Sequence, residues 1–183
     1  MLGFGVVLAA GSFWLIEISN RSSGNTSVQS PRTDPDYFVD NFSYAKLDAL
    51  GRVEYVIEGQ KMTHYPVDDR SEIDKPVVRH FSPNRPATTL RAERATVNGD
   101  RTEVRMIEQV VLERAQARGD AALTVTSEYM LLLPEKDIVT SDRRVDIAAG
   151  GMHLSGTGMV ANNATRELTL ENRVSGIYPT PNK

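Results

Sequence analysis

The sequence predicts an all-β domain built as an open stack of antiparallel strands, behind an apolar N-terminal segment. From Tyr37 onward, apolar and polar residues alternate with the two-residue period of half-buried strands. A segment that ends in valine recurs at intervals of 33, 35 and 29 residues, each time with a turn at the same offset. The prolines stand at turns or strand starts, where a sheet tolerates them. Together these three observations favour stacked hairpins.

Composition limits the functions that this chain can have. Its 183 residues suit one domain and a leader, and the absence of cysteine excludes disulfides, thiolate catalysis and cysteine-ligated zinc. The formal charge is −3, with both signs interspersed. A nucleic-acid surface is normally basic, so this balance argues against one.

Residues 1–18 are predicted to form a transmembrane anchor. The stretch from Leu2 to Ile16 carries no charge, and as a helix it is about 22 Å long, against about 30 Å for a hydrocarbon core. The same length fits a signal peptide that is cleaved near Leu8–Gly11. Apolar residues resume at Phe13, and Trp14 is placed to anchor at the membrane interface. These residues favour an uncleaved single helix.

Three further segments complete the predicted organisation. Residues 19–35 are rich in Ser, Asn and Pro and predict a flexible linker. Residues 36–179 form the strand-rich domain, and residues 180–183 form a tail. An anchor, a tether and a β domain together predict a membrane-tethered domain outside the cytoplasm.

The first hairpin of the domain precedes the repeats. Phe42 and Tyr44 alternate toward a turn at residues 48–51, and Val53, Tyr55 and Ile57 form the return strand. Four repeat units follow, with turns predicted at residues 66–69, 99–101, 134–137 and 162–164. Each unit therefore contributes one strand pair to the stack.

The repeat offsets align the apolar residues into three sets, of which the second and the third are predicted to face inward. One set contains Met62, Ala95, Met130 and Met159. A second contains Ile73, Met106 and Leu170, interrupted by Ser141, and a third contains Val77, Val110, Val145 and Val174. Between the last two lie polar residues at inward parity in all four units: Lys75, Glu108, Arg143 and Asn172. Either a β-bulge or a solvent-open trough accommodates them, and both remain open at this point.

Four glycines near the end of the domain resemble a phosphate-binding loop. Gly150, Gly151, Gly156 and Gly158 flank apolar residues that continue the strand pattern. Glycines inside such a pattern more often mark a bulge or a close backbone approach. We therefore expect a sheet corner here.

The sequence predicts no active site, so we expect the chain not to be an enzyme and to need no cofactor or metal. His64, His80 and His153 are far apart, and the metalloprotease, nucleophile-elbow and P-loop motifs are missing. The Asp68–Asp69 pair falls in a turn, where aspartate suits the geometry. A carbohydrate-processing enzyme would need carboxylates stacked on one face, and the aligned positions do not stack them.

Two functions for the apolar face remain equally supported by the residues. The inward side chains are mostly of medium size, which fits either a sealed core or a groove for a long apolar ligand. In both cases the terminal strands present unpaired backbone groups to which another chain can add a strand.

Several segments resemble one family. They are Asp34–Phe42, Leu50–Gly59, Lys75–Val77, Thr140–Asp142 and Gly151–Met159. In these segments, and over essentially its whole length, the chain resembles the LptC family, the single-pass inner-membrane component of the lipopolysaccharide export machinery. The resemblance implies a twisted, open β-jellyroll preceded by a transmembrane helix, with the bulk of the chain in the periplasm.

The resemblance also implies partners and a path for cargo. Lipopolysaccharide passes from an ABC permease complex of the LptB2FG type, along an apolar groove, to an LptA-type periplasmic bridge protein. The implied lipid contacts are Phe42, Tyr44, Ile73, Met106, Val145, Leu168, Leu170 and Tyr178. An alternative is a structural adaptor that docks permease to bridge without binding lipid.

The implied partner contacts lie on the two edge strands and near the glycines. The N-terminal edge, from Phe42 to Leu47, docks to the permease. The C-terminal edge, Glu167–Tyr178, pairs with the bridge protein and includes Thr169, Glu171 and Arg173. At Gly151, Gly156 and Gly158 a side chain would disturb curvature or docking.

Overall fold

A computed structural model describes residues 34–82, 85–117, 121–165 and 167–178. These residues form one antiparallel sheet, which confirms the predicted all-β class. The strands are β1 Tyr37–Leu47, β2 Val53–Tyr65, β3 Arg70–Asp74, β4 Val77–His80, β5 Thr88–Arg91, β6 Arg94–Val97, β7 Val104–Arg114, β8 Leu123–Leu133, β9 Ile138–Ala149, β10 Met152–Asn162 and β11 Glu167–Ile177. A single 3₁₀ turn, Pro134–Lys136, joins β8 to β9.

The predicted anchor and most of the predicted linker lie outside the described residues, as do residues 179–183. No helix within the described ranges is long and apolar enough to cross a membrane. The predicted turns at residues 48–51, 66–69, 99–101 and 134–137 fall between strands, and the one at residues 162–164 begins at the last residue of β10.

The sheet is a meander if β3–β4 and β5–β6 are each taken as one interrupted strand, because β3 pairs with β6 and β4 pairs with β5. β2 pairs with β1 on one side and with β3 and β4 on the other, and β7 pairs with β5, β6 and β8. The β3–β4 break falls at Lys75–Pro76, where proline cannot donate a ladder hydrogen bond. Among the described residues β1 pairs with β2 alone and β11 with β10 alone, so the sheet is open at both edges.

A row of irregularities crosses the middle of the sheet, and we call it the bulge line. It is marked by left-handed backbone conformations at Asn41, Lys75, Glu108, Gln109, Gly158 and Arg173. The pairing register also shifts within β7–β8, β8–β9, β9–β10 and β10–β11. Because bulges bend strands and increase twist, the bulge line folds the sheet along its middle.

The bulge line decides between the two alternatives for the polar residues at inward parity. Lys75, Glu108, Arg143 and Asn172 are all solvent-exposed. Lys75 and Glu108 adopt left-handed conformations, and Arg143 and Asn172 lie beside register shifts. A β-bulge accommodates this polar row.

Two buried serines hydrogen-bond to backbone groups at the bulge line. Ser127 Oγ donates to the carbonyl oxygen of Arg144 at 2.8 Å, and Ser141 Oγ accepts from the backbone N–H of Arg143 at 3.1 Å. The two hydroxyls lie 3.2 Å apart. Ser141 interrupts the apolar pattern because buried backbone groups near a bulge need such partners.

The core lies along the inner side of the bulge line. The first two predicted apolar sets merge into one cross-strand row, which contains Val39, Met62, Ile73, Ala95, Met106, Met130, Ser141, Met159 and Leu170. Met106, Val110, Met130 and Val145 are completely buried. Each such side chain stabilises the fold by about 1.5–3 kcal/mol.

The third predicted set, which consists of four valines expected to face inward, is wrong for two of its members. Val110 and Val145 are buried, but Val77 is not, and its neighbours Pro76 and Val78 are buried instead. The left-handed residue Lys75 shifts the inward parity by one position. Val174 is 56% exposed because it lies on β11, which has no second neighbouring strand in the described part of the chain.

Candidate functional site

A cavity of about 760 Å³ lies between the two parts of the folded sheet. One side, which we call wall A, is a cross-strand row of paired residues. On each strand it lies two residues further from the bulge line than the core row does. It contains Tyr37, His64, Ser71, Val97, Val104, Leu132, Val139, Ala161 and Leu168, and all nine line the cavity. At about 4.8 Å per strand, the row spans roughly 38 Å from β1 to β11. Wall A therefore reaches both edges of the sheet.

The facing side, wall B, lies on the other side of the bulge line. Its paired residues Tyr44, Ile57, Val78, Leu90 and Leu112 line the same cavity. Burial raises the pKa of Tyr55 next to wall B, and the ammonium group of Lys46 opposes this shift.

The predicted lipid contacts fall into three places. Phe42, Tyr44, Ile73 and Leu168 line the cavity. Met106 and Val145 lie in the sealed core instead, and Leu170 is half-buried against that core. Tyr178 is 68% exposed and lies outside the cavity.

Sequence reasoning did not select most of wall A. Val97, Leu132, Val139 and Ala161 line the cavity, and each belongs to the alternating pattern that predicted inward faces. They differ from the core residues in lying further from the bulge line on the same strands. The missing signal was the pairing register, which a bulge shifts by one residue.

A hydrogen-bonded clamp closes the end of wall A nearest the predicted linker. His64 Nδ1 lies 2.7 Å from Asp36 Oδ1, and His64 Nε2 lies 2.7 Å from Asp69 Oδ1. The Tyr37 ring stacks on the imidazole at 4.6 Å. Hydrogen bonds with Asp36 and Asp69 raise the pKa of His64 against the effect of desolvation, and the bond to His64 lowers the pKa of Asp36. The clamp ties the start of β1 to the β2–β3 turn.

We expect this clamp to make stability depend on pH. Because folding raises the pKa of His64, protonated His64 contributes its full stabilisation to the folded state below its ordinary pKa of about 6.5. That stabilisation is lost as the pH rises through the pKa of His64 in the folded state. Because folding lowers the pKa of Asp36, its carboxylate stabilises the folded state above about pH 3.9, the ordinary pKa of aspartate. That stabilisation is lost as the pH falls through the pKa of Asp36 in the folded state. The melting temperature of His64→Gln should therefore fall less between pH 6 and pH 9 than that of the parent chain.

The matched control is His153→Gln, since His153 is an exposed histidine on β10. This variant should keep the pH dependence of the parent chain. Equal pH slopes for the parent and His64→Gln would contradict the role of the clamp.

Exposed apolar side chains concentrate on the two edge strands. On β1 they are Tyr37, Phe38, Val39, Tyr44 and Leu47, and on or just after β11 they are Leu168, Val174, Ile177 and Tyr178. The predicted partner residues Glu167, Thr169, Glu171 and Arg173 also lie exposed on or beside this second edge, as Leu47 does on the first. Open strand edges with apolar side chains are typical of surfaces that accept another strand.

The glycines mark a hairpin turn before β10 and a bulge within it, and β10 is the strand that pairs with the second edge. Gly150 and Gly151 turn β9 into β10, and Gly156 and Gly158 are buried in β10. Gly158 has φ +82°, and a Cβ atom there would lie 3.0 Å from Cβ of Glu171. Glycine at this position thus permits both the bulge and the close approach of β11.

No group of three or more metal-ligating side chains is brought together within the described ranges. What the fold does build is an open antiparallel β-jellyroll with an apolar cavity between its edges. This arrangement places the chain among open β-jellyroll proteins with a largely apolar interior cavity.

The family follows from comparison with known proteins. A family model described as "Lipopolysaccharide-assembly, LptC-related" matches residues 5–179. The chain belongs to this LptC family, and its role lies in lipopolysaccharide transport. Comparison with curated protein sequences gives no match.

The chain is also similar to a solved structure of a transport component. This is LptH, described as the LptA-homologous periplasmic component of the lipopolysaccharide transport device from Pseudomonas aeruginosa. The two share 12% identity with a TM-score of 0.49, over 82% of this chain and 99% of LptH.

Proposed function

We propose that the domain is a conduit that holds the acyl chains of lipopolysaccharide between walls A and B. It receives lipopolysaccharide from the ABC permease complex and passes it to the periplasmic bridge protein. The observation that carries this proposal is the continuity of wall A, whose cavity-lining residues run from Tyr37 on β1 to Leu168 on β11. A cargo can therefore follow wall A from one edge of the sheet to the other.

The physics of such a path requires no specific bonds to the acyl chains. Removing a CH₂ group from water contributes about 0.8 kcal/mol, so a row of Val, Leu and Ala holds an acyl chain at any register. A lipid held this way can slide along the row. Directional movement then depends on ATP hydrolysis by the permease.

The two edges have separate partners in this proposal. β1 docks to the permease through strand addition near Phe42–Leu47, and β11 pairs with the bridge protein. The apolar side chains exposed on both edges support this assignment. Residues 1–18 anchor the chain in the inner membrane, and the domain lies in the periplasm.

A structural adaptor is the second candidate, and one observation favours it. Met106, Val110, Met130 and Val145 are sealed from solvent, so the inner face near the bulge line already functions as a core. If the cavity were likewise only a packing defect, the protein would join its partners without binding lipid.

Leu168→Asp tests the conduit against the adaptor. Leu168 lines the cavity and is 38% exposed, so an aspartate there remains compatible with folding but places a carboxylate beside the acyl chains. We expect the full-length variant, extracted in mild detergent, to retain about tenfold less lipopolysaccharide, because the change removes several CH₂ contacts.

Thr169→Asp is the matched control for this experiment. Thr169 is the next residue of the same strand and does not line the cavity. It should retain lipopolysaccharide like the parent chain. Equal retention by both variants at equal protein levels would favour the adaptor.

A further inference from the structure

The two rims of the cavity differ in charge. Beyond wall A, the cavity is lined by four carboxylates and one guanidinium, so negative charge is in excess there: Asp69, Glu135, Asp137 and Glu167 against Arg101. Beyond wall B, the paired residues Tyr55, His80, Thr88, Arg114 and Leu123 form what we call the donor rim. Glu54 is the carboxylate that lines the cavity here, and it pairs with Lys46 at 3.2 Å. An anionic group is therefore repelled by one rim and attracted by the other.

Arg114 is the unusual member of the donor rim. Its Nε–H is shielded from solvent and has no hydrogen-bond acceptor among the described residues. Arginines on the outer face of neighbouring strands are paired, for example Arg91 with Glu113 at 2.9 Å. A buried donor on a charged group is costly to leave unsatisfied. A feature that costs stability and faces a cavity is typical of a binding site.

The neighbours of Arg114 supply matching chemistry. Thr88 is its direct partner on β5, and His80 is the partner of Thr88 on β4. All three line the cavity, so a hydroxyl and an imidazole stand one and two strands from the guanidinium. Arginine is suited to phosphate because its planar fork donates two parallel hydrogen bonds.

We propose that Arg114, with Thr88 and His80, forms an anion site on the donor rim that binds a phosphate group. This inference rests on the proposed function, because the phosphate belongs to the headgroup of the lipid whose acyl chains lie between the walls. The charge difference between the rims orients the cargo, with its phosphate at the donor rim. Free inorganic phosphate has the same chemistry, and the tests below separate the two sources.

The first test observes the guanidinium directly. In the full-length chain in lipid nanodiscs, labelled with ¹⁵N-arginine, inorganic phosphate is titrated and the Nε–H resonances are followed by NMR. The Arg114 resonance should shift with saturation. The resonance of Arg105, on the outer face of the same strand beside Glu103, should not shift.

The second test compares lipopolysaccharide with the same lipid after enzymatic dephosphorylation. The parent chain and the control Arg105→Gln should retain about tenfold more of the phosphorylated form. Arg114→Gln should lose this preference, and Arg114→Lys should recover part of it, because lysine keeps the charge without the planar fork. Arg114→Met should melt at the same or a higher temperature, since it removes an unsatisfied buried donor.

The outcomes separate this inference from the proposed function. Equal retention of both lipid forms by the parent chain, with an unmoved Arg114 resonance, would overturn the anion site and leave the lipid path intact. A shifted Arg114 resonance with no retention of either lipid would uphold the anion site for a small phosphate and overturn the lipid path. A melting temperature that falls in Arg114→Met would assign Arg114 to the fold and overturn its role in binding.

Discussion

Replacing Met106 by alanine should lower the free energy of unfolding by about 2–5 kcal/mol, the range for truncating a fully buried large side chain. Met106 is 0% exposed and pairs with Ala95 and Met130 in the row along the bulge line. Its removal leaves a cavity inside the buried core. Urea unfolding of the full-length chain should show a lower midpoint with an unchanged slope.

Ile177→Ala is the control, because Ile177 is 73% exposed. It should change stability by less than about 0.5 kcal/mol. A loss below about 1 kcal/mol for Met106→Ala would contradict the sealed core. It would mean that Met106 faces an open groove and that the cavity extends to the bulge line.

The second large effect concerns the edge at β11. Aspartates at Val174 and Ile177 together should weaken binding of the bridge protein by at least about 30-fold, since one interface hot spot contributes about 2 kcal/mol or more. Both side chains are exposed, and β11 has no second neighbour among the described residues. Charges there oppose the burial of apolar surface that strand addition requires. Calorimetric titration of the purified bridge protein measures the effect.

Val67→Asp is the matched control for the edge. Val67 is about as exposed as Val174 but lies in the turn between β2 and β3, away from β11. It should bind the bridge protein like the parent chain. Equal weakening by the control and the double variant would mean that the docking surface lies elsewhere.

The fold was predictable because its signals are local. Turns such as Pro66–Asp69 and Pro134–Asp137 combine proline with aspartate, and the strands between them alternate with period two. The repeat offsets also aligned Ile73 with Met106 in one set and Ala95 with Met130 in another, and all four residues are buried. These features depend on residues that are close in sequence or related by a fixed repeat length.

The errors arose where one residue changes the parity of a strand. Val77 was predicted inward, but the left-handed conformation of Lys75 places Pro76 and Val78 inward instead. No local signal identifies a lysine that adopts this conformation, because glycine, asparagine and aspartate are the residues that favour it.

The division between core and cavity was equally inaccessible from the sequence. Met106 and Leu168 both have inward parity, yet one is sealed in the core and the other lines the cavity. The difference is their distance from the bulge line, where the sheet folds. Periodicity shows which side of a strand faces inward but not how far away the facing wall lies.

The contrast between Leu168 and Thr169 tests the lipid path most directly when it is measured in living cells. A photo-reactive benzoylphenylalanine is placed at one position or the other of the full-length chain, and adducts with lipopolysaccharide are detected after irradiation. We predict an adduct from position 168 and none from position 169. No adduct from position 168, while the protein still assembles with its partners, would contradict the conduit and leave the adaptor as the function of this chain.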